Sequence, residues 1–233
     1  MRPVSARGAA VGVVAVVVLV GGAFVADRMA ESAAEQQVVE AIEQNLDVVG
    51  SPTVELGGFP FLNQVLAGSS DQVTGQVDGI TLEGIDATDV TIDAHGVSTS
   101  EPYTVSTATV VATLPTASIE TIVADHTDLE IALAVDGTTL TASGKVLGLT
   151  LTANLLPRVD GGRLLVTVDK VQLAGLTVSV DDLPSAIGNR LTDVEVPVAG
   201  LPEGLVLTEA TVVADGVRIT ATGTDVVLPT QGR

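Results

Sequence analysis

Eighteen uncharged, mostly apolar residues run from Ala9 to Ala26, with Arg2 and Arg7 before them and Asp27-Arg28 behind. That length is at the short limit for crossing a hydrocarbon layer of about 30 Å. The pattern predicts a membrane segment over 9–26, read either as a transmembrane anchor or as a signal peptide, with 1–8 held on the cytoplasmic side by its two arginines. A retained anchor fits better. Cleavage directly after the apolar run would put Phe24 at the −3 position relative to Ala26, although Ser32-Ala33-Ala34 supplies a later small-x-small site. Gly8 and Gly12 have the spacing of a helix-dimer face, but glycine is common in such segments.

The periodicity then changes twice. From Asp27 to Val48 the residues are good helix formers, and Val38, Ile42 and Leu46 recur at i, i+4, i+8, which predicts one long amphipathic helix ending before Gly50. Beyond it come short Val/Thr/Ile/Leu runs punctuated by Gly and Asp, the pattern of strands. Leu129, Ile131, Leu133 and Val135 alternate with less apolar neighbours, as do Leu147, Leu149, Leu151 and Ala153, so each run predicts a strand with one buried face. Asp136-Gly137 and Asp160-Gly161 between such runs predict tight hairpins and an antiparallel connectivity. Across 171–180 the apolar phase flips at Gly175, which predicts a bulge or sharp coil. Two shorter helices are predicted. One covers Thr116 to Asp125, with Ile119, Ile122 and Val123 on a face; the other covers Asp181 to Leu191, with Leu183, Ile187 and Leu191 in register. A faint self-similarity pairs 77–85 with 168–176 and 88–97 with 208–217, compatible with two related β-units building one elongated sheet or with the chance likeness of Val/Thr/Gly-rich sequence.

Composition narrows the chemistry. The chain has 233 residues, no Cys, no Trp, two His and a net charge of −19. Without Cys there are no disulfides, zinc–thiolate sites, iron–sulfur clusters or thiol nucleophiles. Nothing basic clusters, which argues against nucleic acid. Every acidic residue lies from Asp27 onward, where eight basic residues face 29 acidic ones; a part carrying −21 is well solvated and repelled in bulk by anionic head groups. His95 and His126 belong to no metal-binding pair, and Gly144-Lys145 lacks the rest of a phosphate loop. The carboxylates Asp86, Asp89, Asp93, Asp181 and Asp182 read as a solvated face before they read as an acid–base pair. No cofactor and no metal is expected, and no catalytic residue is identified.

Aromatic placement stands out. Only three aromatic residues lie outside the membrane run, and two of them bracket a proline in Leu56-Gly57-Gly58-Phe59-Pro60-Phe61-Leu62-Asn63-Gln64-Val65-Leu66-Ala67-Gly68. Pro60 stiffens the entry, and Phe61, Leu62, Val65 and Leu66 form the apolar face of a two-turn helix ended by Gly68. This block is either a hydrophobic lip or an anchor plugging the end of the core.

The apolar leader, the following helix, the block Val54 to Gly68 and the closing stretch Leu201 to Gly223 together resemble a family of actinobacterial envelope proteins, once grouped as a domain of unknown function, to which the mycobacterial lipomannan elongation factor belongs. The resemblance covers nearly all of 10–228, and Gly-Phe-Pro-Phe-Leu is its specific part. It implies an α+β fold of the lipid-transfer (TULIP, BPI-like) kind, with a long amphipathic helix packed on a strongly curved antiparallel sheet around an apolar groove. It also implies a non-enzymatic protein of the cell envelope, outside the cytoplasm, that binds or transfers phospholipid or a lipid-linked glycan precursor, meets the membrane and works beside envelope glycosyltransferases in lipoglycan assembly. On that reading 27–228 is the lipid-binding domain and 229–233 a tail. Phe59, Phe61, Leu62, Val65 and Leu66 form the groove mouth, and Ile119, Ile122, Val123, Leu183 and Ile187 are candidate lining. Replacing Phe59 and Phe61 by Asp is then expected to abolish lipid loading and spare the fold. The alternative is a β-rich scaffold that binds an envelope enzyme through a sheet edge and carries no lipid.

Overall fold

The structure, a computed structural model, describes residues 26–227 apart from 45, 83, 101, 127–130, 147–148, 174–175, 181–192 and 197–200. The apolar run before Ala26 and the predicted helix bearing Leu183, Ile187 and Leu191 lie outside the described residues. Among the described residues no helix is long and apolar enough to cross a membrane.

Helix α1 covers 26–44, four residues short of the predicted end, because Val48 belongs to strand β1 (Asp47–Val49) and pairs with Ile80. Its packed stripe is also not the predicted one. Ala30, Ala34, Val39 and Ile42 pack on Val54, Leu56 and Phe61, while Val38 and Leu46 are exposed. Small alanines at the contact let the helix lie close to β2 (Thr53–Gly57) and the short helix α2 (Phe61–Ala67).

Among the described residues all paired strands are antiparallel, and they form two sheets, not one. The first has the order β1-β3-β4-β5-β13-β12, with β3 (Ser69–Leu82), β4 (Ile85–Ser98), β5 (Thr104–Pro115), β12 (Glu203–Val213) and β13 (Gly216–Val227), and β2 sharing the β3 edge with β1. Helix α3 (Thr116–His126) follows β5, within a residue of its predicted span. The second sheet has the order β10-β9-β8-β7-β6, with β6 (Ile131–Asp136), β7 (Thr139–Val146), β8 (Leu149–Asp160), β9 (Arg163–Leu173) and β10 (Leu176–Ser179). Strand β11 (Val194–Val196) shares the β9 edge with β10. Register shifts at Thr88/Thr91, Asn154/Leu155, Glu203/Leu205 and Leu207/Glu209 add local twist, which curls both sheets.

Both predicted hairpins form, with the aspartate one place earlier in the turn than expected. Asp160 is the last paired residue, opposite Arg163, and Gly161 and Gly162 take the two left-handed positions at φ 58° and 77°; Asp136 likewise pairs with Thr139 across Gly137. The phase flip at 171–180 is a chain reversal and not a bulge: Leu176 pairs with Leu173, so the strand folds back on itself as β9–β10. The first half of the self-similarity has the same cause, since Leu82 pairs with Ile85 in the β3–β4 hairpin. The second half has no structural counterpart, because 88–97 runs along β4 while 208–217 crosses the β12–β13 turn. The two units of one elongated sheet are therefore not present.

The sheets meet where β12 packs on β8 and β9. Two apolar clusters bridge them, one built on Leu133, Leu140 and Val217 and the other on Leu164, Leu207 and Ala221. At the opposite end of the first sheet, Ala94, Val105, Ala108 and Val226 form a separate core, near the α2 end of the ladder.

Candidate functional site

Inward positions of the two sheets do not close on each other beneath α3. They leave an apolar cavity of about 350 Å³. Helix α3 contributes Ile119, Ile122 and Val123; β6 and β7 contribute Ile131, Leu133, Leu140 and Ala142; β8 and β9 contribute Leu155, Pro157, Leu164, Val166 and Val168; and Leu114, Val217 and Ile219 enter from the first sheet. Strand β11 closes the side with Val194, Glu195 and Val196, and among the described wall residues only Glu195 is charged. Helix α3 is positioned by Glu120, whose Oε1 accepts the backbone N–H of Leu133.

Charges outside the cavity hold β11. Arg158 donates to Asp193 at 2.8 Å and lies 3.5 Å from Asp160, Thr167 Oγ1 donates to Asp193 at 3.2 Å, and Arg163 donates to Glu195 at 3.3 Å. The Arg158 guanidinium holds the Asp193 carboxyl below the usual range, helped by Thr167 and opposed by desolvation, and Arg158 is raised in return. A depressed folded-state pKa means a contribution present above the ordinary carboxylate value of 3.8 and lost as pH falls through the lower, folded value. The protection of the β11 amides, measured relative to their intrinsic exchange at each pH, is therefore expected to fall below pH 3.8. Asp193→Asn should show reduced protection already at neutral pH and a smaller acid step, the Arg163–Glu195 pair being left; an unchanged β11 in that variant would refute the clip.

The predicted site residues divide. Ile119, Ile122 and Val123 come together in the cavity. Phe61 is only 6 % exposed and belongs to the core under α1, so replacing it by Asp would damage the fold and not merely a lip. Phe59, Leu62, Val65 and Leu66 are exposed, with Leu66 at 87 %. They do not form the mouth of the cavity. Helix α2 ends at Gly68, whose carbonyl accepts the Thr99 N–H beside the Val97–Val105 end of the ladder, whereas the cavity lies at the Leu114–Val217 end. Val105 and Leu114 are nine residue steps apart on β5, about 30 Å along the strand at ~3.3 Å per residue. Nor does the apolar space lie between the long helix and a sheet. Beside α1 and β2 there is instead an open concavity of mixed character, bounded by Arg28, Glu31, Glu35, Glu55 and Gln72 together with Leu56 and the predicted lip residue Phe59, in which Arg28 donates to both carboxylate oxygens of Glu31 at 2.7 and 2.6 Å.

The carboxylates singled out in the sequence lie on exposed strand surfaces. Asp86 accepts from Thr81, Asp93 accepts from Gln72 and lies 3.2 Å from His95, and Asp89 is 3.8 Å from Arg218. Asp181 and Asp182 are outside the described residues, as is the side chain of His126. Among the described residues no group of three His, Asp or Glu is placed to hold a metal ion. The strand residues of the cavity wall were missed in the sequence as site residues. Alternation marked Leu133 as facing inward, but not that the facing wall stands off.

No curated protein and no solved structure matches the chain. The LmeA-like phospholipid-binding family model matches residues 25–222, a span that holds every residue of the cavity wall, and the chain belongs to that family.

Proposed function

We propose that this chain is a non-enzymatic lipid carrier of the cell envelope, which holds an acyl chain of a phospholipid, or of a lipid-linked glycan precursor, in the cavity between its two sheets. The observation that carries the reading is the wall itself: about 350 Å³ bounded by Ile, Leu, Val, Ala and Pro, with Glu195 alone among the described lining residues able to ionise. Such a volume is within the range of small-molecule sites. Hydrocarbon gains about 0.8 kcal/mol per buried CH₂ and needs no polar partner, whereas water needs two to four. Membership of a phospholipid-binding family supports the ligand class. Two curled antiparallel sheets around apolar space are compatible with a lipid-transfer architecture, and the single acid in the wall is held outward by Arg163 rather than paired with a nucleophile.

The test is photolabelling of the full chain in proteoliposomes, with a phosphatidylethanolamine that carries a diazirine midway along one acyl chain, followed by mapping of the labelled peptides. Label is expected on the segments holding Ile122, Leu133 and Ala142. Ala142→Trp, which extends an indole from β7 into the cavity, should lower that label about tenfold and leave the melting temperature within a few degrees. Label absent from these segments, or indifferent to the tryptophan, would rule the cavity out as the lipid site.

A further inference from the structure

We infer that the exposed face of α2 is a membrane-docking surface, seated on the same bilayer that receives residues 9–26. The inference rests on the reading of 9–26 as a membrane segment; it is independent of what fills the cavity. Three observations converge on it. Asp27, the residue directly after the apolar run, is 3 % exposed, and its carboxylate accepts the backbone N–H groups of Phe61 at 2.8 Å and Leu62 at 2.7 Å. The first turn of α2 is therefore fixed within one hydrogen bond of the point where the chain leaves its apolar segment. From that turn Phe59, Leu62, Val65 and Leu66 project as exposed apolar side chains, 59 %, 43 %, 54 % and 87 % accessible. Finally, the stretch 56–70 holds no charged residue, in a chain of net charge −19. A surface that approaches anionic head groups is helped by carrying no carboxylate of its own, and α2 carries none, the nearest acids besides the buried Asp27 being Asp71 beside Gly58 and Glu31, Glu35 and Glu55 around the concavity next to Phe59. A short helix with Leu and Val on its exposed face, preceded by an exposed Phe, is also a form that can rest in the interface without spanning it.

The chain has no cysteine, so a single labelled position is unambiguous. Leu66→Cys carrying an environment-sensitive NBD dye, in the full chain reconstituted into 3:1 phosphatidylethanolamine/phosphatidylglycerol vesicles, should show blue-shifted emission and quenching by nitroxide lipids. The same dye at Leu176, exposed on β10, should answer only to aqueous quenchers. Adding Leu62→Asp and Val65→Asp to the position-66 probe should return it to water with no change in melting temperature. If the protein floats with the vesicles but the position-66 dye stays aqueous, docking is wrong while the membrane segment stands. A dye shielded from both quenchers would mean that a second copy of the chain covers α2, and it too overturns docking. If the protein does not float after carbonate washing, the membrane reading of 9–26 fails and the docking surface fails with it.

Discussion

Gly216→Ala is expected to cost the protein on the order of 10 °C in melting temperature. Gly216 opens β13 directly after the Ala214-Asp215 turn and pairs with Pro115. A methyl group added there would run into the carbonyl of Leu114 and reach 3.0 Å from the Cα of Pro115. Both obstacles are backbone, so the clash cannot be relieved by a side-chain rotation. It is relieved only by parting β13 from β5, which also separates Leu114 from Val217, two facing parts of the cavity wall. Overpacking of this kind costs about 3 kcal/mol, and 1 kcal/mol is worth roughly 2–4 °C in a domain of this size. Gly137→Ala is the proper comparison. Its added methyl meets nothing within 4 Å, and only the positive φ of 62° is penalised, for about 1–2 kcal/mol. Thermal melts followed by circular dichroism decide it: equal, small losses in the two variants would refute the close approach of β13 to β5.

Asp27→Ala should destabilise by about 3 kcal/mol, because one buried carboxylate is the acceptor for two backbone amides of a different helix and hydrogen bonds to charged groups contribute about 1.5–3 kcal/mol each. Helix α2 has no side-chain cap of its own, since Pro60 occupies its N-cap position. Asp27 supplies the cap from α1. The loss should appear first as faster hydrogen exchange at the amides of Phe61 and Leu62, and as a fall of roughly 6–12 °C in the melt. Asp27→Asn, which keeps one acceptor oxygen, should fall about halfway. Were alanine and asparagine equally well tolerated, the cross-helix cap would contribute nothing.

Local patterns were readable in the sequence to the extent that local physics decides them. The α3 boundaries followed from Pro115 and the spacing of Ile119, Ile122 and Val123, and the two Asp-Gly turns reported antiparallel pairing because left-handed turn positions favour glycine. The Gly68 cap of α2 was visible for the same reason, and adopts φ 70°. What long-range packing sets was read only at Ile119, Ile122 and Val123. The alternation in β6 says which face of a strand is apolar, but not whether the facing wall lies in contact or several ångströms away, so Leu133 gave no sign of lining a cavity. Phe61 and Leu66 carry the same apolar signal five residues apart; only the position of α1, fixed through Asp27 and Glu35, buries one and exposes the other. The Val171–Val180 flip was read as a bulge or a sharp coil, and only the reversal of the chain between Leu173 and Leu176 excludes the bulge, since both break the period of two at a glycine.

The cavity under α3 has a consequence for how much folded protein a cell can keep. A space of about 350 Å³ between the sheets leaves the apolar side chains around it without packing partners on one side, and each contact forgone in this way is a loss to the folded state. Whatever occupies it is in energetic terms a missing piece of the core supplied from outside. If the acyl chain proposed above is that occupant, folding and loading draw on the same free energy, and the population that survives proteases follows the local concentration of ligand. The protein's abundance is then a readout of lipid supply.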